Sequence, residues 1–215
     1  MKGIFITIEG MDGSGKTTQI NRLKEYFETK GKHVRITREP GGTRISEAIR
    51  EIILNVNYQE MDYVTEALLY AAARAQHVAE YILPAVEQGD IVICDRFVDS
   101  SIVYQGMARE LGQEMVATIN QYATKGLQPD ITFFLDLEHR QGMERKKNQQ
   151  ELDRLEGEKE QFHQKVRDGY KQLAKANQER MIDIDASQSI EEVHQCILLG
   201  LKEKGIITDK YNDEE

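Results

Sequence analysis

Residues 2–18, KGIFITIEGMDGSGKTT, constrain the fold more than any other part of the chain. Ile4, Phe5, Ile6 and Ile8 are β-branched or aromatic and read as a buried strand. The run breaks at Gly10, and from Lys16 onward Ile20, Leu23 and Phe27 recur with helical period. Between strand and helix, Gly10, Gly15, Lys16 and Thr17 satisfy G-x-x-x-x-G-K-[ST]. Gly10, Gly13 and Gly15 let successive backbone N–H groups turn into one concavity, which side chains would block. The start of the next helix adds its dipole and its unpaired N–H groups, so an anion is favoured there. Gly10, Met11, Asp12, Gly13, Ser14, Gly15, Lys16, Thr17 and Thr18 are therefore the expected cradle of a nucleoside triphosphate. Lys16 would reach the β- and γ-phosphates and the Thr17 hydroxyl would ligate Mg²⁺.

The rest of the chain reads as alternation. Gly31 closes the first helix and 33–37 is a second strand. A turn-rich loop, Arg38-Glu39-Pro40-Gly41-Gly42-Thr43, leads to Ile45, Ala48, Ile49, Ile52 and Ile53 at helical spacing. An alanine-rich helix is expected over 63–88, with Pro84 a kink or boundary. Residues 90–94 form a third strand that delivers Asp95-Arg96-Phe97 to its C-terminal end. Helices over 100–108 and 113–125, a strand over 131–136 and a basic helix over 138–147 follow. After Gln149-Gln150 the pattern predicts a helix over 152–178, a strand over 181–185, a helix over 190–204 and a polar tail over 206–215.

Five apolar strands alternating with helices specify an α/β, three-layer P-loop NTPase fold: a parallel sheet covered on both faces, in a single domain over 1–215. Ligands of such sheets bind beyond the carboxyl ends of the strands, which gathers residues 12–17, Arg38, Glu39, Asp95, Arg96 and Asp136 on one rim. The net charge of -9 argues against a nucleic-acid footprint. The apolar runs fall short of the ~20 residues that span a bilayer, so no membrane is expected as a partner. Residues 1–3 lead straight into the first strand and leave no room for a signal peptide. Cys94 and Cys196 lie in apolar runs without metal-ligand spacing, as core thiols of a reducing cytoplasm would.

A P-loop does not by itself separate a switch, a motor and a small-molecule kinase. A kinase whose acceptor is phosphorylated needs extra arginines on the same rim and a basic segment that closes over the phosphates. Arg38, Arg50, Arg74 and Arg96 fall near that rim. Arg145, Lys146 and Lys147 precede Gln149-Gln150-Glu151-Leu152-Asp153-Arg154, a lid over about 142–154. A solvated helix face would also explain the basic run, and an ion pair with Asp95 would also explain Arg96. No N-K-x-D motif of GTPase base recognition is present, which ranks a hydrolytic switch low.

GMDGSGKT, REPGGT over 38–43, LYAAARAQH over 69–77, DRFVDSS over 95–101 and YQG over 104–106 together resemble bacterial thymidylate kinases, in order and spacing, over residues 3–204. The resemblance implies transfer of the γ-phosphoryl group of ATP to dTMP with Mg²⁺, as a step toward dTTP, by a homodimer. It implies that Asp12 contacts the deoxyribose 3′-hydroxyl, that Tyr70 stacks on thymine, and that Arg74 and Gln105 hydrogen-bond the base. Tyr70 among Leu68, Leu69 and Ala71 also fits a core aromatic. By the same resemblance Tyr104 crowds the 2′ position, and Arg38, Arg50 and Arg96 hold the monophosphate, with Glu39, Pro40 and Ser101 completing the acceptor site. Asp95, with Glu39 nearby, would organise the metal beside Thr17. Lys16, Asp95 and Arg96 are the implied catalytic groups. Gln149 stands where the lid of such enzymes carries a catalytic arginine, which leaves Arg145 and Lys147 as the lid cations. A deoxynucleoside kinase, the alternative, would share the P-loop and the Asp-Arg pair but lack the extra arginines.

Overall fold

The computed structural model describes residues 3–146 and 153–208. Its sheet has five parallel strands, β1 (Ile4–Gly10), β2 (Val34–Arg38), β3 (Ile91–Asp95), β4 (Ile131–Asp136) and β5 (Met181–Asp185), in the order β2-β3-β1-β4-β5. β1 is central: Ile6 lies opposite Ile93 on one side and Ile131 on the other. A strand flanked twice and covered on both faces must be apolar almost throughout, as β1 is.

Both faces are packed. Toward α1 (Lys16–Thr29) and α9 (Ile190–Glu203), Ile6, Ile8, Leu23, Phe27, Phe133 and Ile197 form one buried cluster. On the other face Phe5, Val92 and Phe97 pack against Val78, Ile82 and Val86, and Phe134 packs with Val103, Val166 and Tyr170. The remaining helices are α2 (Arg44–Leu54), α3 (Tyr63–His77), α4 (Leu83–Glu87), α5 (Val98–Ser101), α6 (Gln113–Thr124), α7 (His139–Lys146) and α8 (Glu160–Ala176). The expected three-layer α/β architecture is the one observed. Both cysteines are free, and among the described residues no helix is long and apolar enough to cross a membrane.

Three elements differ from the expectation. Within the helix expected over 63–88, a widened π-helical stretch, Val78–Ile82, joins α3 to α4, and the boundary expected at Pro84 is the first turn of α4. The wider turn absorbs the missing N–H and the bulk of the ring. α5 likewise runs into a π-helical stretch, Ile102–Ala108, which carries Tyr104 and Gln105. The helix expected over 152–178 begins only at Glu160, because Asp153 captures the N–H groups of Leu155 and Glu156, each at 2.8 Å, and folds 153–159 into turns.

Phe133 is fully buried on β4 beside Gly200, where an added Cβ would meet the ring at 2.8 Å. Phe133→Ala is expected to lower unfolding stability by ~3–5 kcal/mol, measured by urea denaturation. A loss below ~1 kcal/mol would show that β4 is not packed this way.

Candidate active site

The P-loop is a strained turn with no room for side chains. Gly10 and Gly13 have φ of 142° and 78°, and a Cβ on Gly13 would lie 2.2 Å from the Gly142 carbonyl oxygen. α1 then starts at Gly15 without a side-chain cap, whereas Thr43, Asp62 and Ser189 cap α2, α3 and α9. Its first N–H groups are therefore left for a ligand. Lys16 is buried, and its Nζ donates to the carbonyls of Gly10 and Met11 at 3.2 Å each. Burial, then the positive charge of Arg96, lowers the Lys16 pKa. Thr17 and Thr18 are exposed at the start of α1.

The second half of the site is the loop after β3. Arg96 adopts φ of 68°, a left-handed conformation that costs a non-glycine residue about 1–3 kcal/mol and needs support. The support comes from β1. The Arg96 N–H donates to the Ile8 carbonyl at 3.0 Å, and the Phe97 N–H donates to Glu9 Oε1 at 2.7 Å. Glu9 Oε2 accepts from Ser100 at 2.6 Å and from Tyr170 at 2.8 Å. Glu9 is completely buried; burial and then the charge of Asp99 push its pKa up to about 7, against the pull of these donors.

Held this way, the Arg96 guanidinium lies over the Tyr104 ring, 5.4 Å from its centroid, and its Nη2 donates to Asp12 Oδ1 at 3.1 Å. Lys16 approaches the same Asp12 oxygen at 3.6 Å. The Asp12 carboxylate thus stands between the P-loop cation and the acceptor-side cation. Arg38 and Arg50 converge from β2 and α2 on the Pro40 carbonyl, at 2.7 and 2.8 Å. Burial and the neighbouring Arg38 charge lower the Arg50 pKa, the mark of two cations gathered where an anion would relieve them.

One cavity is lined by Asp12, Lys16, Arg38, Pro40, Arg50, Tyr70, Arg74, Asp95, Arg96, Ser101, Tyr104 and Gln105. The acceptor residues expected from the sequence are therefore brought together. Tyr70 and Arg74, four apart on α3, face the cavity, and Glu66, one turn earlier, is buried behind it. The phenol pKa of Tyr70 is raised by burial, then by the negative charges of Glu66 and Asp153; that of Tyr104 is pushed up to about 12, mainly by burial. Both rings are neutral flat surfaces at ordinary pH.

Two assignments change. Glu39, expected beside the metal, spends both oxygens on support: Oε2 accepts from Arg74 Nε at 2.6 Å and Oε1 pairs with His77 Nδ1 at 3.0 Å. Asp95 has a buried Oδ1 without a hydrogen-bond partner among the described residues, and it is the better oxygen donor. Arg145 turns away from the acceptor cavity and bridges the Ala186 carbonyl at 3.2 Å and the Gly13 carbonyl at 3.5 Å. Asp136 lies at the C-terminal end of β4, on the expected rim, where Arg167 engages it at 2.6 Å and Lys171 at 2.8 Å. Lys147 and Gln149 lie outside the described residues.

Arg74 commits four N–H groups, to Glu39, Ser101, Asn120 and the Phe97 carbonyl. The remaining Nη2 hydrogen has no partner among the described residues. Sequence reasoning missed the buried partners Glu9, His77, Glu66, Tyr170 and Arg154. The available signal was a glutamate inside an apolar strand, Glu9, and a glutamate one turn before Tyr70 on α3, Glu66.

Known proteins match this arrangement closely. The sequence model of a family described as Thymidylate kinase matches residues 8–197. A thymidylate kinase of Geobacillus sp. (strain WCH70) is 52% identical over 206 residues, covering 95% of this chain and 98% of that protein. One of Ligilactobacillus salivarius (strain UCC118) is 53% identical over 196 residues, covering 90% and 94%. The crystal structure of thymidylate kinase from Ehrlichia chaffeensis superposes with a TM-score of 0.76 at 35% identity, covering 94% of this chain and 99% of that one.

Glu9 gives the site a titration signature. Its folded-state pKa lies above the unfolded value of 4.5, so the folded chain binds more protons, and its share of stability is full below pH 4.5 and lost as pH rises through about 7. Glu9→Gln removes that loss. The stability of the variant relative to the parent should rise between pH 5 and pH 8, followed by thermal unfolding at both. A difference that ignores pH would mean that Glu9 does not titrate buried.

Proposed function

The chain belongs to the thymidylate kinase family, and we propose that it transfers the γ-phosphoryl group of ATP to dTMP, giving ADP and dTDP. The observation that carries this reading is the Asp12 carboxylate, 3.6 Å from Lys16 and 3.1 Å from Arg96. It joins a triphosphate cradle to an arginine-lined cavity, so two phosphates meet end to end across one residue. Arg38, Arg50 and Arg96 line this cavity together, more guanidinium groups than a nucleoside acceptor without a phosphate would engage.

In this reading the P-loop amides and Lys16 hold the donor phosphates. Arg96, with Arg38 and Arg50, holds the acceptor phosphate in line. The chemistry needs positioning and charge stabilisation rather than a covalent enzyme intermediate, because the attacking phosphate oxygen carries little proton at neutral pH. Thr17 and the unpartnered Asp95 oxygen fit a hard cation, and among the described residues no cluster of three His, Cys, Asp or Glu would hold a metal without the nucleotide. Mg²⁺ bound there would neutralise charge on the donor phosphates. Asp12 also faces the acceptor sugar, and Tyr104, packed under Arg96, leaves little space beside its 2′ position. Tyr70 offers its ring to the base, a stacking contribution of ~1–3 kcal/mol.

Arg145 serves the P-loop and the loop after β5, so the lid cation assigned to the transferring phosphoryl group is Lys147, on sequence grounds. The exposed apolar Tyr63 and Leu68 of α3 and Met115 and Tyr122 of α6 fit a homodimer built on these helices. Free thiols fit a cytoplasmic enzyme.

A coupled ADP-release assay with dTMP, thymidine, dCMP and AMP as acceptors tests the reading. Turnover should be strongest with dTMP and negligible with thymidine, and Lys16→Ala should lower kcat by orders of magnitude. Equal rates across the monophosphates would refute the substrate. Near-normal turnover without Lys16 would refute the donor site.

A further inference from the structure

Glu66 has no part in phosphate binding, yet it is the most heavily engaged carboxylate of the acceptor side. It has no exposed surface. Its Oε2 accepts from Arg154 Nη2 at 2.6 Å and from Arg109 Nη2 at 3.4 Å; its Oε1 accepts from Gln105 Nε2 at 2.9 Å and from Arg109 Nε at 3.5 Å. Arg109 is clamped between the rings of Tyr63 and Phe162, 4.5 and 4.6 Å from their centroids, and pairs with Glu158 at 2.6 Å. Arg154 is anchored again by its Nε to the Ile53 carbonyl at 2.9 Å. Two arginines, Glu66 and Glu158 form a neutral, immobile group around one amide.

That amide belongs to Gln105, which lines the acceptor cavity. A carboxylate flanked by two guanidinium groups can only accept. Gln105 must therefore turn its NH₂ toward Glu66, and its carbonyl oxygen is the group left for a ligand. We propose that Glu66 is a specificity-determining positioning residue, which sets the Gln105 amide so that only a base with a ring N–H donor satisfies it.

The proposal rests on the reading that the base of a nucleoside monophosphate lies beside Gln105. Thymine presents an N3–H donor and an O4 acceptor. Gln105 Oε1 takes the first, and the one uncommitted N–H of Arg74 takes the second. Cytosine reverses both, with an acceptor at N3 and an amino donor at position 4, and would oppose carbonyl to ring nitrogen and amine to guanidinium. The relay runs from the arginines to the base through alternating donors and acceptors.

Reversing the relay at its source tests it. In Glu66→Gln the amide oxygen must still face Arg154 and Arg109, so its NH₂ faces Gln105, which flips and presents its own NH₂ to the cavity. The ratio of kcat/KM for dTMP over dCMP should fall by ~10-fold or more, the size of one exchanged hydrogen bond, chiefly through a higher KM for dTMP. Glu66→Asp, which still only accepts, should retain most of that ratio. An unchanged ratio in Glu66→Gln, with only a lower melting temperature, would make Glu66 merely structural and overturn the proposal.

A measurement on the parent protein decides the case if Glu66→Gln does not fold. The side-chain NH₂ resonances of Gln105, identified by their loss in Gln105→Met, should be protected from solvent exchange without ligand and shift little when dTMP binds. Fast-exchanging resonances that move on dTMP addition would place the NH₂ in the cavity and refute the relay. If the parent enzyme does not prefer dTMP to dCMP, the substrate assignment fails, and these resonances still test the amide orientation.

Discussion

Glu9 is a carboxylate without solvent, and the acceptor side of the site is built on it. It joins three chain segments that are remote in sequence: the strand that leads into the P-loop, the loop after β3, and α8, whose Tyr170 is 161 positions away. Its acceptance of the Phe97 N–H holds the backbone that places Arg96 in a left-handed conformation. Removing it would leave Arg96 free to relax toward ordinary backbone angles, and the cation would leave the Asp12 carboxylate. The same strand that shapes the donor cradle therefore also sets the acceptor cation, which keeps the two phosphate sites in fixed register.

The pattern repeats around the cavity. Glu39 stands behind Arg74, and Glu66 behind Gln105 and Arg154. The carboxylates that orient these groups are themselves buried, Glu9 and Glu66 behind the cavity and Glu39 in its wall. Such burial is costly unless every oxygen is engaged. Glu9, Glu39 and Glu66 each have both oxygens engaged.

Much of the molecule was legible in the sequence because its signals are local. The P-loop, the five apolar strands and the loops 38–43 and 95–101 each declare themselves within a few residues, and the parallel-sheet rule carries them to one rim. The supporting layer is not local. Glu9 and Tyr170, or Glu66 and Arg154, are ordinary residues until the fold brings them together. Competing local interactions explain the misplaced elements: the Asp153 side chain stops a helix that periodicity would extend, and a π-helical stretch replaces ordinary helix just before Pro84. Arg145 looked like a lid cation because its charge was visible and the Ala186 carbonyl that takes it was not.

Glu9 is expected to act on the acceptor phosphate through Arg96, the arginine it positions. Calorimetric titration of dTMP into the parent enzyme, Glu9→Met, which cannot accept the Phe97 N–H, Arg96→Met and the double variant measures that coupling. Strong non-additivity is expected: once Arg96 is gone, Glu9→Met should cost almost no further affinity. Losses that simply add would contradict it, because Glu9 would then act on dTMP binding by a route other than Arg96.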